Sequence, residues 1–194
     1  MKILPPTKHI LLLLEKVSNF KQDYTFVFIK NVYLRSRKFK EKNDMKVGDK
    51  APEVLGRDEN GNEVKLSDYK GKKLVLYFYP KDNTSGCTAE ACSIRDNYER
   101  LQAEGFEVLG VSVQDENSHK KFIEKQQLPF HLIADTEKTL NEAFGVWAEK
   151  SMYGRKYFGT LRTTFIIDEN GVIERIILPK EIKTKIHGEQ ILAK

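Results

Sequence analysis

The run Leu74-Val-Leu-Tyr-Phe-Tyr79 is apolar from end to end, with lysines before it and a proline after it. A short apolar run of this kind, rich in β-formers, reads as a strand buried on both faces. The polar loop Pro80 to Gly86 follows, and at Cys87 the spacing turns helical. Strand, loop and helix in this order restrict the chain to folds in which helices alternate with buried strands. They also set Cys87 at a helix start. There, unpaired backbone N–H groups and the positive end of the helix dipole favour a thiolate.

The pattern on either side is regular. Asp58-Glu-Asn-Gly-Asn62 reads as a turn and Glu63 to Leu66 as a short strand, together a hairpin. Ser67 to Gly71 is a short helical turn or loop, and Lys73 to Tyr79 the first core strand. From Cys87 to about Ala103, Ala91, Ile94, Tyr98 and Leu101 share one side of a helix that Gly105 ends. Phe106 to Val113 is a second core strand. Glu116 to Gln127 is a helix stopped ahead of Pro129, and Phe130 to Ala134 a third strand. Asp135 to Phe144 reads as a helix with acids in its first turn. Residues 146–161 read as an aromatic loop. Thr163 to Asp168 and Val172 to Leu178 flank Glu169-Asn-Gly171, a strong hairpin signal. Glu181 to Leu192 reads as a closing amphipathic helix. The order β-β-α-β-α-β-α-β-β-α implies an α/β fold, a mixed central sheet with helices on both faces. With a cysteine at the first helix N-terminus, this is the thioredoxin-like arrangement.

The formal charge of +5 would hint at an anionic partner, but it is unevenly placed. Residues 1–44 carry ten Lys/Arg against four Asp/Glu, and the remainder has a net charge of −1. The near-neutral body argues against nucleic-acid binding. No stretch approaches the roughly 18–20 apolar residues that span a membrane. Ile10 to Leu14 is shorter than a signal-peptide core of roughly 7–15 residues, and no A-x-A-like site follows it. These features place the protein in the cytoplasm. Residues 1–44 alternate apolar and basic groups without a sustained period. Within them Tyr24 to Ile29 reads as a strand and Arg35 to Lys42 as a solvated tail. Met45 is the expected natural start, with 1–44 an N-terminal extension outside the native domain or disordered, and 45–194 a single domain. The rival reading, a transit peptide, calls for more Arg and Ser and fewer acids.

The only cysteines are Cys87 and Cys92. Two in a chain of this length do not form a disulfide scaffold; they are inert core thiols or a functional pair. Nor do they supply a zinc site, for no histidine lies near them in sequence. In an unbroken helix, five residues give a rise of ~7.5 Å and a rotation of ~140°, hence Cα atoms about 8.6 Å apart. A disulfide wants roughly 4.4–6.8 Å. If the two cysteines pair, the helix must melt locally. That suits a cycle with two states better than a permanent staple.

Pro80-x-x-x-Thr84-x-x-Cys87, continued by Thr88-Ala89-Glu90, resembles the active-site motif of the peroxiredoxins. The second cysteine five positions on resembles the peroxiredoxin Q group, also called bacterioferritin comigratory protein. Arg162, in Leu161-Arg-Thr-Thr-Phe-Ile-Ile-Asp168, sits like that family's second active-site arginine. The likeness covers about residues 45–194. It implies a thiol peroxidase that reduces hydrogen peroxide and organic hydroperoxides. In it Cys87 is the peroxidatic nucleophile and Cys92 resolves the resulting sulfenic acid as an intramolecular disulfide, which thioredoxin or another dithiol reductant returns to thiols. It further implies that Thr84 donates a hydrogen bond to peroxide or thiolate and Pro80 shields the pocket. Arg162 would stabilise the charge, oriented by Glu90. No metal, haem or flavin is implied, and the group is often monomeric, so a monomer or weak homodimer is expected.

Blander readings fall on the other residues. Trp147 is a packing residue near the pocket, and Tyr77 and Tyr79 are core or pocket wall. His119 and His131 are surface or satisfied histidines, His187 is structural, and Lys180 to Lys185 a solvated face. Arg95 is a second, weaker candidate for the cation near Cys87. Two other functions compete. A protein disulfide oxidoreductase would prefer C-x-x-C, which spans one helical turn. A thioredoxin-fold binding or holdase module gives no reason for Thr84 or Arg162.

Overall fold

The computed structural model describes residues 45–152 and 154–193. The readings placed on residues 1–44 lie outside them. The described residues begin their regular structure with β1 (Val54–Arg57) and β2 (Glu63–Lys65), an antiparallel pair, then a 3₁₀ turn at Leu66–Tyr69. Then come β3 (Lys73–Phe78), α1 (Ser85–Asp96), α2 (Tyr98–Ala103), β4 (Phe106–Ser112), α3 (Glu116–Gln126), β5 (His131–Ala134) and α4 (Thr139–Ala143). After them follow β6 (Trp147–Met152), β7 (Arg155–Thr160), β8 (Thr163–Ile167) and β9 (Ile173–Ile177). A 3₁₀ turn at Thr184–Ile186 and α5 (His187–Leu192) close the chain.

β3 is the centre of a five-stranded sheet of order β5-β4-β3-β8-β9. It runs parallel to β4 and antiparallel to β8, so the sheet is mixed. Its side chains alternate between two cores, as the two-residue period of a strand requires. Leu74, Leu76 and Phe78 pack with Leu109, Val111, Phe165 and Ile167 beneath α4 and the β1–β2 hairpin. Val75, Tyr77 and Tyr79 pack on the other face with Ala91 and Ile94 of α1, Leu101 of α2, Phe122 of α3 and Ile191 of α5. Each of these large side chains contributes about 1.5–3 kcal/mol by leaving water. Helices therefore cover both faces of a mixed sheet, as the alternation of elements requires.

Several expectations need correction. The first helix begins at Ser85 rather than Cys87 and breaks at Asn97, whose side chain donates to the Ser93 carbonyl at 2.9 Å. The helix expected over Asp135 to Phe144 is only Thr139–Ala143. Asp135 stays outside it, and its carboxylate accepts from the backbone of Leu140 and Asn141. The closing helix is likewise confined to His187–Leu192 after a 3₁₀ turn. Residues 146–161 are not a loop: β6 and β7 form an antiparallel hairpin in register from Trp147↔Thr160 to Met152↔Arg155. The backbone ladder holds it, while Glu149, Ser151 and Tyr157 are exposed, so no apolar alternation marks it in the sequence.

Candidate active site

Pro80 has no N–H to give to a sheet ladder, and β3 ends just before it. The loop that follows is pinned from below by Asp82, which is 4% exposed. One carboxylate oxygen accepts from the Tyr79 hydroxyl at 2.7 Å; the other accepts from Ser118 Oγ at 2.6 Å and pairs with His119 Nδ1 at 2.9 Å. Burial pushes the Asp82 carboxyl up, but its interactions with His119 and the hydrogen bonds from Ser118 and Tyr79 together hold the group below its usual range. Asn83 takes a left-handed conformation (φ 57°), which asparagine tolerates, and Thr84 becomes the N-cap of α1. The first helical backbone bond runs from Thr88 N–H to the Thr84 carbonyl at 2.8 Å. The N–H groups of Ser85, Gly86 and Cys87 thus precede the ladder.

Cys87 is 2% exposed. Arg162, from the turn between β7 and β8, donates through Nη2 to Cys87 Sγ at 3.1 Å and through Nη1 to Glu90 Oε2. Its guanidinium lies over the first turn of α1: a Cβ added at Gly86 would sit 3.5 Å from Nη2. One cation is therefore forked between two groups able to carry negative charge, three residues apart on one helix. Glu90 is fully buried. Burial raises its carboxyl to about 7, and the charge and hydrogen bond of Arg162 only partly pull it back. Among the described residues its second oxygen, Oε1, has no hydrogen-bond partner.

The other expected residues are less tightly gathered. Pro80 is half-buried at the loop entrance. The Thr84 hydroxyl donates to the Lys81 carbonyl at 3.1 Å, not to Cys87. Cys92 lies further along the same unbroken helix, half-buried, with Sγ 3.6 Å from Gln126 Oε1, and both cysteines are free thiols. Arg95 is turned away from Cys87 to the Gln126 carbonyl at 2.6 Å and to Asp96. Trp147 is half-buried with Lys138 Nζ 5.6 Å from its ring centre. Tyr77 and Tyr79 are fully buried and stacked. His131 pairs with Glu59 at 2.8 Å. That pair and Asp58 bring ligand-type atoms within 4.8 Å of one another. Their carboxylates already accept from Asn60, Asn62 and Leu132, which ties the β1–β2 turn to β5.

Three features had no signal in the sequence. His119 is fully buried and anchors the active loop through Asp82 across 37 residues. His187 is fully buried beneath α1, with Nε2 2.8 Å from Thr164 Oγ1 and 3.8 Å from Glu90 Oε1. Lys150, on β6, donates to the Thr160 carbonyl at 3.1 Å. Its ammonium is lowered first by burial and then by Arg162, and raised by Cys87, so the hairpin carries a second cation toward the site. In the sequence each was one isolated residue inside an ordinary element.

Residues 47–176 match the AhpC/TSA family. The chain is similar to Peroxiredoxin Bcp of Bacillus subtilis, 46% identical over 149 residues, which cover 76% of this chain and 93% of that protein. PrxQ of Xylella fastidiosa superposes with a TM-score of 0.70 at 34% identity, over 76% of this chain and 93% of that one. The bacterioferritin comigratory protein of Xanthomonas campestris, described for its alkyl peroxide reduction activity, superposes with a TM-score of 0.66 at 31% identity, over 74% of this chain and 95% of that one.

Proposed function

This chain belongs to the AhpC/TSA family and is a peroxiredoxin, a thiol peroxidase of thioredoxin-like fold, and from that premise we propose that Cys87 is its peroxidatic cysteine and Cys92 its resolving one. The observation that carries this reading is the guanidinium of Arg162, 3.1 Å from Cys87 Sγ at the start of α1. An N–H aimed at sulfur stabilises the thiolate and then the charge that develops on oxygen. The thiolate attacks one oxygen of the hydroperoxide and the O–O bond breaks. The other oxygen leaves with the electron pair and is protonated to water or alcohol, while Cys87 becomes a sulfenic acid. Pro80 limits water at the pocket mouth. The Thr84 hydroxyl, on the Lys81 carbonyl in this state, turns to the bound peroxide.

The Cys92 thiolate then attacks Cys87 Sγ, hydroxide leaves as water, and a disulfide forms. For that, α1 must unwind between the two residues. A thioredoxin-like dithiol reductant returns the disulfide to thiols by exchange. We assign thioredoxin itself to this step, hydrogen peroxide and organic hydroperoxides as substrates, residues 45–194 as the working domain, and a monomer or weak homodimer as the working form. Free thiols recycled by a dithiol fit the reducing cytoplasm. Among the described residues no helix is long and apolar enough to cross a membrane. Neither a membrane nor a nucleic acid has a part in the cycle.

NADPH consumption coupled through thioredoxin reductase and thioredoxin tests the assignment. Turnover of hydrogen peroxide is expected in the native chain and none in Cys87→Ser. Native rates in Cys87→Ser would overturn it. Efficient reduction of insulin disulfides without peroxide turnover would favour a protein disulfide oxidoreductase instead.

A further inference from the structure

At the start of α1 two acids, Cys87 and Glu90, share one cation, Arg162. Cys87 and Glu90 each take one arm of the Arg162 guanidinium, and both are buried. A state with Cys87 and Glu90 both ionised leaves one uncompensated negative charge there, which a low-dielectric interior penalises. A state with one proton between them is neutral.

The surroundings of Glu90 say where that proton can sit. Oε2 faces Arg162, and Oε1 has no donor. His187 Nε2 lies 3.8 Å from Oε1, beyond hydrogen-bond reach. Gln190 fixes the His187 tautomer. Its Oε1 accepts from Lys183 N–H at 2.7 Å, and its Nε2 donates to the Glu181 carbonyl at 2.8 Å. The imidazole Nδ1, 3.4 Å from Gln190 Oε1, must then carry the hydrogen, and Nε2 is a bare acceptor for the Thr164 hydroxyl. With Nε2 turned to Thr164, His187 gives Oε1 no N–H, so an ionised Glu90 would hold a buried charge without a donor on this oxygen, a penalty that the neutral carboxyl avoids. Among the described residues the other charged or titratable groups bearing on the pair are Tyr77 from β3, whose phenol is pushed up by burial and by Glu90, and Lys150 from β6, which faces Arg162 and Cys87. Neither offers Oε1 a hydrogen bond. The high carboxyl value of Glu90 agrees with this picture.

We propose that Cys87 and Glu90 share a single proton across Arg162, Glu90 holding it while Cys87 is a thiolate and releasing it when that thiolate is consumed. The proposal rests on the reading of Cys87 as the peroxidatic thiol. The balance closes: thiolate, protonated Glu90 and hydroperoxide become sulfenic acid, ionised Glu90 and alcohol or water, with the same total charge. Glu90 thereby does more than orient Arg162. It competes with the nucleophile for the cation.

Difference infrared spectroscopy on the full-length reduced protein at neutral pH tests this. The native chain should show a carboxylic-acid C=O band that is lost in Glu90→Gln. The band should also vanish in Cys87→Ser, where the neutral hydroxyl leaves Arg162 to an ionised Glu90. The pH profile of Cys87 alkylation by iodoacetamide gives the second readout. Removing the competing acid in Glu90→Gln should move the profile to lower pH by about one unit, a tenfold gain in rate below its midpoint. If Glu90 only orients Arg162, the same change moves the profile up or leaves it in place, and the proposal is overturned. A carboxylic-acid band that persists in Cys87→Ser overturns it equally. Either result leaves the peroxidase assignment standing, because that falls only if Cys87→Ser still turns over peroxide.

Discussion

Cys87 and Cys92 occupy one unbroken helix, with the thiol of Cys87 under Arg162 and that of Cys92 on Gln126. Helix geometry separates their Cα atoms by about 8.6 Å, beyond the roughly 4.4–6.8 Å that a disulfide spans. Bonding them therefore costs the turns between. Backbone amides from Thr88 to Asp96 are expected to be protected from hydrogen exchange in the reduced protein and to exchange at least tenfold faster once the disulfide forms. Equal protection in both states would show that resolution proceeds without unwinding.

Arg162→Met removes the N–H that points at Cys87 Sγ and the charge that faces Glu90. Loss of one such stabilising donor typically lowers turnover by about 100- to 1,000-fold, and that fall is expected in kcat/KM for hydrogen peroxide. Stability should fall by no more than about 3 kcal/mol, because Cys87 and Glu90 can then both be protonated and no buried charge is left unpaired. Adding Glu90→Gln should change stability little further and recover none of the activity. Urea unfolding and steady-state kinetics on the single and double variants separate the two effects.

The parts of this site legible in the sequence were those written locally. The apolar run ending at Tyr79, the proline and the helical spacing from Cys87 set strand, loop and helix without help from elsewhere. Only the family resemblance singles out Arg162, since nothing local marks a residue 75 positions from the thiol it touches. His187 and Thr164 lie beyond both routes. Their bond joins α5 to β8 across 23 residues, and each alone reads as an ordinary helix or strand position. The β6–β7 hairpin leaves no mark in the sequence for another reason: its stability lies in a backbone ladder, to which an apolar pattern is blind.

The pH dependence of stability should hide two opposed contributions. His187 is lowered from 6.5 to about 4 by burial, helped by Arg162 and Arg175 and opposed by its bond to Gln190. Its unfolded form binds a proton that the folded form refuses. Stability from this group is present above pH 6.5 and is lost as pH falls toward 4. Glu90 is raised from 4.5 to about 7, chiefly by burial. Here the folded form holds a proton that the unfolded form releases. Stability from Glu90 is full below 4.5 and is lost as pH rises through 7. Each spans on the order of 3 kcal/mol, so the native chain should vary little between pH 4.5 and 6.5. Glu90→Gln should unmask stability that rises with pH over that window, and His187→Gln stability that falls. Urea unfolding at half-unit pH steps reads both slopes; parallel curves for the two variants would be the wrong outcome.

α5 rests directly on the backbone of α1, and Gly188 makes that possible. A Cβ at this position would collide with the Ser93 carbonyl oxygen and come within 2.8 Å of Asn97 Cβ. The Gly188 N–H also donates to Ser93 Oγ at 3.1 Å. The contact falls one residue beyond Cys92, on the part of α1 that must loosen for the disulfide to form. Gly188→Ala should push α5 away and destabilise the fold by about 1–3 kcal/mol, as overpacking of a closed contact does. The more telling effect is kinetic. With α5 lifted, α1 unwinds more readily, so Cys92 reaches the Cys87 sulfenic acid sooner. Less sulfenic acid then survives to meet a second peroxide and become sulfinic acid. Mass spectrometry after graded hydrogen peroxide should therefore show a lower sulfinic fraction in Gly188→Ala than in the native chain at the same peroxide. A higher fraction would mean that α5 assists resolution and does not restrain it.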